Sequence, residues 1–165
     1  MSDKLTGNIV SIIYDSLVNG PDMRTAIFFQ GCSIHCKCCH NKHTWEFNTG
    51  RDMTVDEILK CIENNSFTKN ITLTGGHPLE QKEFCLELVK ELKKKEYNIC
   101  IYTGWIYEDI KDKYKDILDN IDYLIDGPFK QYLHMEGLKY KGSSNQRIID
   151  MNKTRELKEV ILYAV

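Results

Sequence analysis

The chain of 165 residues has the length of one domain, and its 42% hydrophobic and 28% charged residues are ordinary for a globular protein. Its formal net charge of −2 excludes the basic excess that marks a nucleic-acid-binding surface. No apolar run approaches the length of a membrane span, and the N-terminal residues lack the basic and apolar stretches of a secretory signal. We therefore expect a single domain over residues 1–165, located in the cytoplasm, that binds neither nucleic acid nor a membrane.

Strand and helix patterns alternate along the chain. Strands are predicted at 8–14, 25–29, 71–74, 98–103 and 121–126, helices at 54–64, 81–95 and 107–118, a loop over 129–146 and a final strand over 159–163. The clearest helix start is a capping box formed by Thr54 and Glu57. The alternation predicts an α/β fold, and the chain is too short for a closed eight-unit barrel. We expect a partial (β/α) barrel of about five or six mostly parallel strands with helices outside.

The predicted parallel strands are followed by loops that contain cysteine or glycine. A cysteine-rich loop follows strand 25–29. Glycines follow the next three strands, at Gly75 with Gly76, at Gly104 and at Gly127. In parallel sheets, ligands bind at the carboxyl ends of the strands. The four loops are therefore predicted to lie on one rim and to form one site.

Four of the seven cysteines lie within eight residues, at Cys32, Cys36, Cys38 and Cys39. In a chain without a secretory signal, such cysteines are metal ligands or reduced thiols more often than disulfides. Cys32, Cys36 and Cys39 have the spacing C-x3-C-x2-C. Three thiolates can hold three irons of a cubane cluster and leave the fourth iron open for chemistry. Cys38 adjoins Cys39, so the two side chains point apart, and a spare thiol is the favoured interpretation of Cys38.

A zinc site is the alternative interpretation of the same loop. His35, His40 and His43 lie close to the cysteines in sequence, and zinc accepts both thiolate and imidazole ligands. However, zinc sites commonly have two C-x2-C pairs, and no second pair follows here. The spacing favours the cluster, and a non-catalytic, zinc-stabilised interaction module stays as the alternative.

The chain resembles the radical S-adenosylmethionine (SAM) superfamily, and within it the activating enzymes of anaerobic (class III) ribonucleotide reductase. Asn41, Thr44 and Trp45 follow the three cysteines as they do in that family. Four further segments match in the same order and extend the resemblance over nearly the whole chain: the turn TGGHP, then IYTGW (101–105), IDGPF (125–129) and KGSSNQR (141–147).

The resemblance implies a partial barrel of the radical SAM type and a specific reaction. A [4Fe-4S] cluster on Cys32, Cys36 and Cys39 would reductively cleave SAM to a 5′-deoxyadenosyl radical. That radical would abstract a hydrogen atom from a glycine of the reductase and leave a glycyl radical there. The implied partners are the anaerobic ribonucleoside-triphosphate reductase, as protein substrate, and a flavodoxin or ferredoxin, as electron donor. An activase of a different glycyl radical enzyme is the close alternative.

The resemblance also implies a set of cofactor-binding residues. These candidates are Cys38, Cys39 and His40 in the cysteine loop and Gly75, Gly76 and His77 in the turn after the third strand. Two of them depart from the family pattern. Cys38 replaces the usual glycine, and His77 replaces an acidic residue that receives the SAM amino group. A neutral imidazole accepts one hydrogen bond but supplies no negative charge.

Other residues are candidates for supporting roles. The side-chain amide of Asn41 is expected to order the cysteine loop. Trp45 is expected either to cover the cluster from solvent or to pack as a core aromatic. Candidate rim residues, for which a purely structural role is equally open, are Tyr102, Thr103, Asp126 and the segment 139–146.

Overall fold

A computed structural model describes residues 4–165 and contains one seven-stranded sheet with the order β3–β1–β2–β4–β5–β6–β7. The strands are β1 (Thr6–Ser16), β2 (Arg24–Phe29), β3 (Arg51–Thr54), β4 (Asn70–Gly75), β5 (Asn98–Tyr102), β6 (Tyr123–Asp126) and β7 (Arg147–Asp150). The helices are α1 (Val55–Asn65), α2 (Lys82–Lys94), α3 (Tyr107–Ile110), α4 (Lys115–Leu118) and α5 (Met151–Leu157). Single 3₁₀ turns occupy Lys42–Thr44, Pro78–Glu80 and Gln131–Leu133.

The centre of the sheet is parallel and its two flanks are antiparallel. Strands β2, β4, β5 and β6 pair in parallel, whereas β1 with β2, β1 with β3, and β6 with β7 pair antiparallel. The predicted α/β class is therefore confirmed. The predicted count of five or six mostly parallel strands is wrong. Strands β3 and β7 have four residues each, too few to give a recognisable alternation, and both add antiparallel edges.

The helices cover one face of the sheet. The buried hydrophobic residues of all five helices belong to one core cluster, together with Ile99 and Ile101 of β5. The alternate residue Cys100 points to the other face, into a small cluster with Ile125 and Ile148. Strand side chains alternate between the two faces of a sheet. One face of β5 therefore packs against the helices, and the other faces the loop that follows β6. Among residues 4–165, no helix is both long and apolar enough to cross a membrane.

Local signals set several element boundaries. The capping box at the start of α1 is confirmed: the Thr54 hydroxyl accepts from the backbone N–H of Glu57 at 3.1 Å, and the Glu57 carboxylate accepts from that of Thr54 at 3.0 Å. The predicted helix 107–118 is instead the two one-turn helices α3 and α4. The segment between them packs Tyr114 against the ring of Trp105 at 5.6 Å, and this tertiary contact is made at the break in the helix.

The C-terminal part of the chain differs most from the prediction. Helix α5, with Asp150 as its N-cap, occupies residues that showed no clear helical pattern. The predicted strand over 159–163 is wrong, because only Leu162 forms a bridge, with Ile149 of β7. The polar segment 129–146 is a loop, as predicted, apart from one 3₁₀ turn.

Candidate functional site

A cavity of about 140 Å³ lies where the loops at the carboxyl ends of the four parallel strands meet. Cys32, Cys36 and Cys39 line it from the loop after β2. The turns after β4, β5 and β6 contribute Gly75, Gly76, His77, Thr103, Gly104 and Gly127. The prediction that these four loops share one rim is therefore confirmed.

The four clustered cysteines do not share one environment. Cys32 is buried, and Cys36 and Cys39 are half-buried on the cavity wall. Burial raises the pKa of the Cys32 thiol, and backbone hydrogen bonds from His35 and Ile34 oppose that shift. Cys38 has a left-handed backbone with φ of 59° and is absent from the cavity wall. The structure thus brings together the three cysteines of the C-x3-C-x2-C spacing and separates Cys38 from them.

The donor set on the cavity wall fits an iron–sulfur cluster. Cysteine thiolates are the usual protein ligands of such clusters, and three of them leave one iron open. Among residues 4–165, no group of three or more His, Cys, Asp or Glu side chains is arranged to hold a single metal ion. Three thiols on one cavity wall can each bind a separate iron, which does not require them to converge on one ion.

The turn after β4 packs directly on the cysteine loop. The backbone N–H groups of Gly76 and His77 donate to the carbonyls of Phe29 and Gly31, both at 2.8 Å. A Cβ on Gly75 would lie 2.5 Å from the backbone nitrogen of Phe29, and Gly75 has φ of 99°. A Cβ on Gly76 would lie 2.4 Å from the carbonyl oxygen of Gly31. The two glycines therefore allow close approach of the cysteine-loop backbone, in addition to lining the cavity.

His77 is a buried wall residue with a neutral imidazole. It is 1% exposed, and its Nε2 lies 2.7 Å from Oγ1 of Thr103. Its ring stands edge-on to that of Trp105, with centroids 4.2 Å apart. Burial lowers the pKa of His77, and the nearby Glu80 carboxylate only partly opposes this. Since the ordinary value is about 6.5, the ring is uncharged at neutral pH.

Glu80 is a site residue that the sequence analysis missed. Its carboxylate accepts from the backbone N–H of Ser33 at 2.9 Å and from the Ser33 hydroxyl. Its Oε2 also lies 3.2 Å from Nδ1 of His77, although that nitrogen lacks hydrogen-bond geometry. A carboxylate is thus present beside His77, three residues after the position where the family has an acid. The signal was the sequence His-Pro-Leu-Glu, whose 3₁₀ turn brings the two side chains together.

The segment after the cysteines is ordered mainly by its backbone. The carbonyl of Asn41 accepts from the N–H and the hydroxyl of Thr44, at 2.8 and 2.6 Å. Gly31 and Cys32 in turn donate to the carbonyls of Thr44 and Trp45. The expectation that the Asn41 amide orders the loop is wrong, because the main-chain carbonyl of Asn41 makes these contacts.

A larger groove of about 740 Å³ opens beside the cavity. Cys39, Thr74 and Tyr102 line both spaces, so the two are adjacent. His40 lines the groove, and its ring lies 5.2 Å from that of Phe129. The groove wall also contains Lys139 and Lys141, and no Asp or Glu among residues 4–165 contributes to it.

The loop 129–146 is held over the groove by specific hydrogen bonds. The Tyr102 hydroxyl donates to the carbonyl of Tyr140, and burial raises the pKa of Tyr102 well above its ordinary value. The Gln146 side chain accepts from the backbone N–H of Gly142 at 2.8 Å and donates to the carbonyl of Gly127 at 3.0 Å. These contacts give the GSSNQ segment a structural role at the groove.

Asp126 does not lie on the rim. It is fully buried and pairs with Arg147 at 2.5 Å, while Oδ2 accepts from the backbone N–H of Tyr107 at 2.9 Å. Arg147 also donates to Glu108, and its hydrogen bonds to the carboxylates of Glu108 and Asp126 raise the pKa of its guanidinium. Asp126 therefore joins β6, α3 and β7, which is the structural alternative considered for it.

Residues 18–149 match a family model described as a 4Fe-4S single cluster domain. The fold and the three-cysteine cavity thus define an iron–sulfur protein of this class. The anaerobic ribonucleoside-triphosphate reductase-activating protein of Enterobacteria phage T4 is 34% identical over 137 residues, which cover 79% of this chain and 86% of that protein. Its counterpart in Vibrio cholerae is 32% identical over 140 residues, covering 80% and 90%. The chain belongs to the family of these activating proteins.

Two further similarities were found. The pyruvate formate-lyase-activating enzyme of Clostridium pasteurianum is 35% identical over 125 residues, which cover 72% of this chain and 51% of that protein. The crystal structure of QueE from Escherichia coli superposes with a TM-score of 0.48 at 19% identity, covering 60% of this chain and 53% of that one. The resemblance on which the sequence analysis relied is confirmed by the reductase-activating relatives.

Proposed function

We propose that this chain activates an anaerobic ribonucleotide reductase by forming a glycyl radical on it. Cys32, Cys36 and Cys39 hold a [4Fe-4S] cluster, and SAM is the second cofactor. The observation that carries the proposal is that these three thiols line one cavity, in a chain of this family. When bound, the cluster supplies the electron that cleaves SAM to a 5′-deoxyadenosyl radical, which takes hydrogen from a glycine of the reductase.

The residues around the cavity bind and shield the reacting groups. Gly75, Gly76 and His77 bind SAM from the turn after β4, and the neutral imidazole of His77 brings no negative charge to the SAM amino group. Cys39 and His40 bind SAM where the cavity meets the groove. This placement is supported by Cys39, which lines both spaces, and by the adjacent His40, which lines the groove. Cys38 has the least support as a cofactor contact, since it lines neither space.

The groove is the proposed entrance for the glycine-bearing segment of the reductase. Its volume of about 740 Å³ is within the range of binding sites that enclose most of a ligand. Helices on one face and the groove on the other support a partial barrel of the radical SAM type. A single domain over residues 1–165, a flavodoxin or ferredoxin as electron donor, and a cytoplasmic location are parts of the same proposal.

Activation of a pyruvate formate-lyase is the second candidate function. The 35% identity to the clostridial activating enzyme supports this second candidate. However, this chain spans about half of that enzyme and 86% to 90% of the reductase-activating proteins. The coverage therefore supports the reductase as partner.

The direct test is an anaerobic incubation of the iron-reconstituted protein with SAM, a strong reductant and the candidate reductase. We expect a glycyl radical signal by electron spin resonance, with methionine and 5′-deoxyadenosine as products. A reductase whose radical-bearing glycine is replaced by alanine is the control and should give no signal. A signal on pyruvate formate-lyase, with none on the reductase, would contradict the choice of partner. Absence of SAM cleavage would contradict the proposed chemistry.

A further inference from the structure

The indole N–H of Trp45 is a buried donor without an acceptor. Within residues 4–165, it is one of three buried side-chain nitrogen or oxygen atoms that have no hydrogen-bond partner. The great majority of buried polar groups in proteins have a hydrogen-bond partner, so an exception calls for an explanation such as a bound group. Trp45 also lines the cavity that contains Cys32, Cys36 and Cys39. Trp45, which carries the unpaired donor, and the three cysteines therefore line the same cavity.

The indole ring is fixed relative to the cysteine loop. The backbone N–H of Cys32 donates to the carbonyl of Trp45 at 3.1 Å. The imidazole of His35, which lies between the first two cysteines, stacks on the indole with centroids 4.4 Å apart and planes inclined by 9°. The ammonium of Lys42 lies 6.0 Å from the same ring. With both its backbone and its ring face held, the side chain presents its N–H in a defined orientation.

We propose that Trp45 donates a hydrogen bond from Nε1 to a sulfur of the cluster that Cys32, Cys36 and Cys39 hold. This inference rests on the proposed function, which supplies the cluster. A protonated thiol is a weak acceptor, whereas the thiolates and sulfides of a cluster carry negative charge and accept more strongly. Hydrogen bonds to the sulfurs are one of the factors that set cluster potentials. A donor stabilises the more negative, reduced cluster, so Trp45 raises the reduction potential.

The test removes the N–H and keeps the shape of the side chain. Trp45 is replaced by 3-benzothienylalanine, in which sulfur takes the place of the indole nitrogen. Trp45→Phe is the second variant. The matched control carries 3-benzothienylalanine at Trp105, the second of the two tryptophans. The apoproteins are first exchanged in deuterated denaturant and refolded in deuterated buffer. They are then reconstituted with iron, reduced, and studied by pulsed electron–nuclear double resonance and by redox titration.

In the wild-type protein we expect a strongly coupled exchangeable deuteron that the Trp45 analogue lacks and the Trp105 analogue retains. The midpoint potential of the Trp45 analogue should shift to a more negative value at unchanged iron content. An unchanged deuteron coupling and potential in that analogue would overturn the inference alone. A wild-type protein that binds no cluster would overturn the inference together with the proposed function. If Trp45→Phe lost iron, the isosteric analogue would still show whether the Nε1 hydrogen bond to the cluster exists.

Discussion

The carboxylate of Glu80 connects two loops that are 47 residues apart in sequence. It accepts from both the backbone N–H and the hydroxyl of Ser33, next to Cys32, and it lies beside the buried His77. Hydrogen bonds to an ionised group are stronger than those between neutral groups. Glu80 therefore holds the start of the cysteine loop against the turn after β4.

Replacement of Glu80 tests this connection. We expect Glu80→Ala to lower the free energy of unfolding of the apoprotein by about 1.5–3 kcal/mol, the typical contribution of hydrogen bonds to a charged group. Urea unfolding followed by circular dichroism measures the change. Glu87→Ala, at an exposed position on α2, is the matched control and should change stability by less than about 0.5 kcal/mol. Equal losses in the two variants would contradict the role given to Glu80.

A second prediction concerns the glycine turn. In Gly76→Ala the new Cβ would meet backbone atoms of Gly31 and Thr44, which cannot move aside as a flexible side chain would. We expect overpacking to lower the free energy of unfolding by about 1–3 kcal/mol. We also expect reduced iron incorporation, because the cysteine loop is displaced. Gly137→Ala is the control, since nothing lies within 4 Å of its Cβ and only its φ of 85° is strained. Full iron incorporation by Gly76→Ala would contradict the contact.

Asp122 joins three elements at the opposite end of the sheet. Its Oδ2 accepts from Lys93 of α2 at 2.5 Å and from the backbone N–H of Ile99 in β5 at 2.8 Å, and its Oδ1 accepts from Asn152 of α5 at 2.9 Å. Burial opposes ionisation of this carboxyl, but the hydrogen bonds outweigh burial and lower the pKa of Asp122. Asp122 thus fixes the start of β6 by means of its charge.

The lowered pKa predicts a pH-dependent contribution to stability. The contribution is fully present above the unfolded value of 3.8 and is lost as the pH falls through the lower folded value. We therefore expect Asp122→Asn to lower the free energy of unfolding by about 1–3 kcal/mol at pH 7, and by progressively less as the pH falls below 3.8. Unfolding by urea across this pH range measures the difference. Asp112→Asn, at an exposed position, should show no such trend. A loss independent of pH would mean that shape, not charge, matters at Asp122.

Elements with strong local signals were predictable from the sequence. The central strands β2, β4, β5 and β6 are short apolar runs, and the α1 capping box is a local exchange of hydrogen bonds. Strands β3 and β7 depend on pairing with other strands, and the break between α3 and α4 coincides with the packing of Tyr114 on Trp105, so hydrophobic periodicity alone did not reveal them. The contacts of Glu80 with Ser33 and of Asp126 with Arg147 were missed for the same reason, since each joins residues distant in sequence.

At the scale of the whole molecule, parallel topology gathers the candidate site. Four loops from residues as distant as Cys32 and Gly127 reach one cavity because their strands run side by side in the same direction. The convergence of the four loops on one rim could be predicted from the order of strands and loops in the sequence. The strand order does not predict the position of the covering loop 129–146, which depends on hydrogen bonds such as that of Tyr102 to Tyr140. Only its segment 139–146 was among the candidate rim residues, and residues of that segment line the groove.

The central claim is that Cys32, Cys36 and Cys39, without Cys38, hold a [4Fe-4S] cluster. The most direct measurement is the iron and zinc content of protein reconstituted without oxygen, for the wild type and for single alanine variants at the four positions. We expect about four irons per chain in the wild type and in Cys38→Ala, and loss of the intact cluster in the other three variants. Stoichiometric zinc in place of iron, or loss of the cluster in Cys38→Ala with its retention in Cys39→Ala, would contradict the account.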